Sequence, residues 1–174
     1  LRYQFAYMER GSKRPDPPDS AHSAVRAAVA EAARRLPGVA LFAGGKSFGG
    51  RMTSQAQAAA PLSAVRGLIF LGFPLHPPGK PGNERGTHLA DVAIPMLFLQ
   101  GTRDALADID LLKLVVRDLR GLADSKELVT LQVVEGADHS FHVLKSSGRN
   151  DREVLAEILD AFTKWVDEIA VRSS

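Results

Sequence analysis

Ser47, Asp104 and His139 are the three side chains whose types and order could activate an alcohol toward a carbonyl. A serine hydroxyl attacks poorly until a base takes its proton, and the base needs a carboxylate to fix its tautomer. Ser47 sits in Gly45-Lys46-Ser47-Phe48-Gly49, after the apolar run Val39 to Ala43 and before the small-residue-rich stretch Gly50 to Ala60. Strand, G-x-S-x-G and helix in that order make a nucleophile elbow, a sharp turn that lifts the hydroxyl above the sheet edge. The glycines two positions before and after the serine are read as relief from backbone collision. Asp104 leaves the apolar run Met96 to Gln100 through Gly101-Thr102-Arg103, and His139 follows Leu131 to Val134 through Glu135-Gly136-Ala137-Asp138. Each residue thus falls just past the end of a predicted strand, in the order serine, acid, histidine.

Rival assignments use the same stretches. Gly45-Lys46-Ser47 also resembles the end of a phosphate-binding loop, but Ala40 stands where that motif needs glycine, and Leu41-Phe42-Ala43 reads as buried strand. Asp108 follows the same strand as Asp104 but occupies a helix N-cap position. Asp138 is an alternative orienting acid, and His142 lies three residues past His139. Phe48 supplies one backbone N–H for an oxyanion hole. Lys46, beside the serine, and Phe73 and His76, in a proline-rich segment, are candidate substrate-binding residues. Each has a plainer reading: a solvent-exposed elbow lysine for Lys46, an ordinary loop histidine for His76. Arg51 could bond a rim carbonyl or carboxylate, or serve the structure alone.

These residues need a scaffold. Five strands are predicted, at Leu1 to Ala6, Val39 to Gly44, Gly67 to Gly72, Pro95 to Gln100 and Leu128 to Val134. All but the first are mostly apolar, as strands covered on both faces are. Helical stripes alternate with them: Val25, Val29, Ala32 and Leu36, starting after Asp19-Ser20; Phe48 to Ala60; Ile109, Leu112, Val115, Val116 and Leu119; and Leu155, Ile158, Leu159, Phe162, Trp165, Val166 and Ile169. Asn150 with Glu153 forms a capping-box pattern at the start of the last. The alternation implies an α/β chain with a doubly wound, mostly parallel sheet, one domain over residues 1–174. Arg10 to Asp19 is a loop. Phe73 to Leu89, rich in proline and glycine, is either a pocket wall or a surface excursion.

At 174 residues the chain can bury one core. A net charge of +2 with scattered basic residues supplies no face for nucleic acid. No apolar run approaches the ~20 residues of a membrane helix, and the absence of cysteine fits a reducing, cytoplasmic setting. No metal or cofactor is expected, and the oligomeric state is not legible.

Four segments together resemble a family of predicted α/β-hydrolases related to the dienelactone hydrolases: Gly44 to Arg51, Gly72 to Lys80, Gln100 to Asp104, and Gly136 to Phe141. The resemblance covers nearly the whole chain and implies Ser47 as nucleophile, Asp104 as acid and His139 as base. Dienelactone hydrolases usually carry cysteine where this chain has serine. The α/β-hydrolase fold also implies strands and a glycine-rich loop upstream of Leu1, the loop supplying a second oxyanion donor. The expected activity is cleavage of a small-molecule ester, thioester or lactone. The alternative is a noncatalytic interaction module, since the family's eukaryotic branch includes proteins thought to act as complex subunits.

Overall fold

The computed structural model describes residues 1–122 and 128–171. In chain order the elements are α1 (Ala6–Glu9), α2 (Pro18–Arg35), β1 (Leu41–Lys46), α3 (Phe48–Ala59), β2 (Val65–Leu71), a 3-10 segment (Glu84–Asp91), β3 (Met96–Gly101), α4 (Ile109–Gly121), β4 (Val129–Val134), a short 3-10 turn (Lys145–Ser147) and α5 (Asp151–Val171). The four strands pair in the order β1-β2-β3-β4, every pair parallel. Parallel pairing sends every β-to-α loop to the same sheet rim, so residues leaving β1, β3 and β4 can meet there.

Alternation along β2 sorts the core. Leu68 and Phe70 face one side, with Met96, Phe98 and Val129, under α2, α3 and α4. Ile69 faces the other side, with Leu97, Leu99 and Val134, under α5. Phe70, Phe73 and Phe98 pack as a triangle with centroids 4.7–5.7 Å apart, within the range where tilted aromatic pairs attract. Helix ends follow local chemistry. Asp108 accepts from the N–H groups of Asp110 and Leu111 at the start of α4. Asn150 Oδ1 accepts from Arg152 and Glu153, while Glu153 Oε2 takes the Asn150 N–H, completing the capping box.

Two predicted features differ. Leu1 to Ala6 is not a strand: residues 1–5 join no ladder, and Ala6 opens α1. Of its apolar residues only Phe5 is buried, against the Phe48 ring at 5.2 Å between centroids, whereas Leu1 and Tyr3 are 72% and 40% exposed. In α5 the buried face is Val154, Ile158, Trp165 and Ile169, whereas Leu155 and Leu159 are 54% and 52% exposed. A straight helix on a sheet buries one narrow stripe, and a seven-residue apolar set is wider than that stripe. The proline-rich segment is divided: residues 72–76 are buried, whereas 78–81, 83, 84 and 87 are open to solvent.

The 3-10 segment packs on α3 through a buried polar pair. Ser54 donates its hydroxyl proton to Arg51 O (2.9 Å), so His88 Nε2, 2.7 Å from Ser54 Oγ, carries the proton of that second bond. Burial, with the Arg51 charge, pushes His88 down to about 4 from its ordinary 6.5. The unfolded chain therefore takes up this proton first. The resulting penalty is absent above pH 6.5, grows as pH falls toward about 4, and is constant below. Urea melts across that window should show wild type losing stability faster than His88→Gln on acidification; parallel curves would contradict the assignment.

Candidate active site

β1 ends at Lys46, and the chain reverses through Ser47 into α3. Ser47 adopts φ 53°, ψ −119°, a left-handed conformation that β-carbon-bearing residues rarely hold. Two backbone bonds secure it: its N–H donates to Leu71 O (3.1 Å), and its carbonyl accepts from Arg51 (3.2 Å). A β-carbon at Gly50 would lie 2.7 Å from Gly45 O and 3.2 Å from the Phe70 ring. At Gly49 it would meet only Phe5, at 3.8 Å. The crowding of the elbow thus falls on Gly50 rather than on Gly49, because α3 turns Gly50 back onto β1. Gly50→Ala should cost about 1–3 kcal/mol by overpacking and displace the serine; denaturant titration checks the first effect.

Asp104 and His139 come together. Asp104 Oδ2 lies 2.7 Å from His139 Nδ1, with the carboxylate fully buried and the imidazole 23% exposed. A carboxylate only accepts, so Nδ1 donates, and in the neutral ring Nε2 is the nitrogen that keeps its lone pair. Asp104 accepts two further bonds, from Gln100 Nε2 (2.6 Å) and from the Leu106 N–H (2.8 Å). The loops carrying the two residues are laced: Arg103 N–H donates to Ala137 O (2.9 Å), and Gly136 N–H donates to Thr102 Oγ1 (2.8 Å).

The elbow joins this pair by two routes. Lys46 Nζ donates to Ser140 Oγ at 2.9 Å, linking the residue before the serine to the residue after the histidine. The His139 ring also lies over Gly72, where a β-carbon would come within 3.2 Å of Nδ1, and Gly72 adjoins Leu71, the acceptor of the Ser47 N–H. Gly72 has φ +67°, so both space and conformation call for glycine there.

The remaining candidates lie as follows. Phe48 opens α3, where the first N–H groups lack helical partners and point toward the elbow's end of the helix. Phe73 is fully buried. His76 is buried, and both its ring nitrogens are engaged: Nε2 accepts from the Asp108 N–H (2.7 Å), so Nδ1 donates to Pro77 O (2.8 Å). Asp138 holds the turn itself, accepting from the N–H groups of Ser140 and His142. His142 pairs with Asp151, 2.7 Å away on α5.

Sequence reasoning passed over Gln100. It is fully buried, and it bridges the site: Oε1 accepts the Phe73 N–H (2.8 Å) while Nε2 donates to Asp104. The one available signal was an amide at the end of an otherwise apolar strand. Gln100→Leu should leave the Phe73 N–H unsatisfied and remove one donor from Asp104, costing about 2–4 kcal/mol in denaturant titration.

A parallel sheet with helices on both faces, and a serine at positive φ between strand and helix, define an α/β-hydrolase core. Residues 1–167 match the family model described as an alpha/beta hydrolase domain, and the chain belongs to that family. Solved structures agree on the fold. An α/β serine hydrolase homologue from Coxiella burnetii is 20% identical, with TM-score 0.56 over 74% of this chain and 54% of its own. A protein of unknown function from Agrobacterium tumefaciens, assigned to the α/β hydrolases, is 20% identical with TM-score 0.68, over 95% of this chain and 69% of its own. Thermogutta terrifontis esterase 2 is 21% identical with TM-score 0.59, over 91% and 68%. The chain spans about half the length of the Coxiella protein.

Proposed function

We propose that this chain is a serine hydrolase that cleaves a small ester, thioester or lactone through Ser47, His139 and Asp104. The observation that carries the reading is the 2.7 Å contact of a fully buried carboxylate with an imidazole whose other nitrogen keeps its lone pair in the neutral ring, at the end of a loop tied to the elbow by Lys46 and Ser140. His139 Nε2 takes the Ser47 proton as Oγ attacks the carbonyl. The Phe48 N–H bonds the oxyanion of the tetrahedral intermediate. Collapse expels the alcohol or thiol, which receives the proton from Nε2. Water then attacks the acyl-serine by the same route, returning the proton to Ser47 and releasing the acid. Asp104 holds the ring and stabilises the imidazolium between steps.

Lys46 borders the site and can meet a polar group of the substrate. Phe73 and His76 support the site from behind: Phe73 is packed in the core, and His76 fastens the proline-rich segment to the loop that carries Asp104. The four motif segments support placement near the dienelactone hydrolases, with serine in place of cysteine. No described helix is long and apolar enough to cross a membrane, in keeping with a small-molecule substrate met in water.

A fluorophosphonate probe tests the reading. The Thermogutta esterase has been solved phosphonylated by sarin, and an activated serine is the kind of nucleophile that attacks such phosphorus electrophiles. The expected result is a stoichiometric adduct on the peptide containing Ser47. A folded chain that takes up no probe would support the noncatalytic module instead.

A further inference from the structure

The loop that carries His139 breaks a local rule of backbone chemistry. Phe141 N–H donates to Asp138 O (2.9 Å) and Asp138 N–H to His142 O (3.0 Å), so residues 139–141 are closed off as in a three-residue hairpin loop. The last residue of such a loop takes the left-handed conformation and is ordinarily glycine. Here it is phenylalanine, at φ 66°. The other described non-glycine residues at positive φ are Ser47 of the elbow and Ala64, which turns the chain into β2 at the opposite rim. A bulky side chain at such an angle costs free energy and persists only where its surroundings hold it.

The residues around His139 are all fastened. Arg103 N–H donates to Ala137 O (2.9 Å), Asp138 Oδ1 accepts from Ser140 N–H (2.8 Å) and His142 N–H (3.0 Å), and Lys46 Nζ reaches Ser140 Oγ (2.9 Å). Among the described residues His139 has no backbone hydrogen bond of its own, so its place is inherited from these neighbours. Glycine at position 141 would keep every one of those bonds. What phenylalanine adds is an apolar side chain, half-buried, packed on the layer between the sheet and α5 that holds Leu99, Val134 and Ala137. Ala137, fully buried in the same layer, stands two residues before His139, and Phe141 stands two residues after it. The loop is thus pinned to the core on both sides of the imidazole. With glycine the second pin would go, and the backbone there would gain freedom.

We propose that Phe141 is a positioning residue: its side chain pins the loop so that the His139 imidazole stays against Asp104 and over Gly72, beside the elbow. Its service to catalysis rests on the hydrolase reading; the placement of the ring does not. Phe141→Gly keeps the turn, removes the pin and should lower kcat for a 4-nitrophenyl ester by roughly tenfold to a hundredfold, with KM little changed. Phe141→Leu, which keeps an apolar pin, should regain most of that rate. A merely structural residue would lower Tm and leave the kcat of the folded chain alone. Proton NMR supplies a readout independent of turnover. The His139 Nδ1–H, held on a buried carboxylate, should give a downfield resonance in wild type and Phe141→Leu that is absent from His139→Gln. In Phe141→Gly that resonance should broaden through exchange with water. Should Phe141→Gly not fold, Phe141→Asn takes its place, because asparagine tolerates the left-handed turn without supplying the pin. If wild type neither turns over esters nor takes up a fluorophosphonate, the hydrolase reading falls, and the Nδ1–H resonance alone judges the pin. A wild type without that resonance, or a folded Phe141→Gly or Phe141→Asn chain that keeps it or keeps the wild-type kcat, overturns the proposal.

Discussion

Alanine at Ser47 or at His139 is expected to lower kcat for a 4-nitrophenyl ester by at least roughly 10⁴-fold, and the double substitution to lower it no further. The serine and the imidazole act as one unit: without the base the hydroxyl keeps its proton, and without the hydroxyl the base has nothing to activate. What survives in all three variants is polarisation by the Phe48 N–H and whatever binding the cleft provides. Both side chains lie at the rim, and neither belongs to the buried core. Folding stability should therefore change by less than about 1 kcal/mol for Ser47→Ala, as at most surface positions, whereas His139→Ala also takes one donor from the buried Asp104 carboxylate and should cost about 1–3 kcal/mol. Steady-state kinetics with denaturant melts checks both halves. Losses that simply multiply in the double variant would mean the two residues do not cooperate.

Asp104→Asn should cost about 10⁴-fold in kcat, as wrong-tautomer substitutions in such triads do. The carboxylate accepts from three donors: His139 Nδ1, Gln100 Nε2 and the Leu106 N–H. An amide brings its own donor into a pocket built to donate. If the amide nitrogen replaces Oδ2, it faces His139 Nδ1, which must then accept, and the proton moves to Nε2, where it blocks uptake from Ser47. If the nitrogen replaces Oδ1, it opposes the Leu106 N–H, and one buried donor goes unpaired at about 1–3 kcal/mol. Loss of rate with little change in KM, together with a measurable drop in stability, is the expected pair of results. Unchanged kinetics would show that residue 104 does not orient the base.

Much of the scaffold could be read from local pattern. β1 to β4 announce themselves as short apolar runs because both faces of a parallel sheet are covered, and α4 declares its own start through Asp108. The segment Leu1 to Ala6 misled because a short apolar-rich run does not specify a pairing partner, and its one buried residue, Phe5, meets Phe48 rather than a neighbouring strand. The α5 stripe misled in the opposite sense: Leu155 and Leu159 share the apolar character of Ile158, but only tertiary placement tells which residues meet the sheet. Gln100 was illegible for a related reason. A buried amide is satisfied by groups far from it in sequence, here the Phe73 N–H, 27 positions earlier.

By itself the sequence determined what a few neighbouring residues settle among themselves: the strand–serine–helix turn, the caps of α4 and α5, and the positions past the strands where acid and base could stand. Those outcomes depend on contacts within one turn or one loop. Tertiary structure alone decided which members of each set meet. It set His139 against Asp104 across 35 positions, sent His142 to Asp151, gave both nitrogens of His76 to the backbone, and left Arg51 without a carboxylate. The physical reason is that a hydrogen bond's direction and a charge's neighbourhood are set by how loops from different strands pack at one rim, which no local stretch of residues encodes.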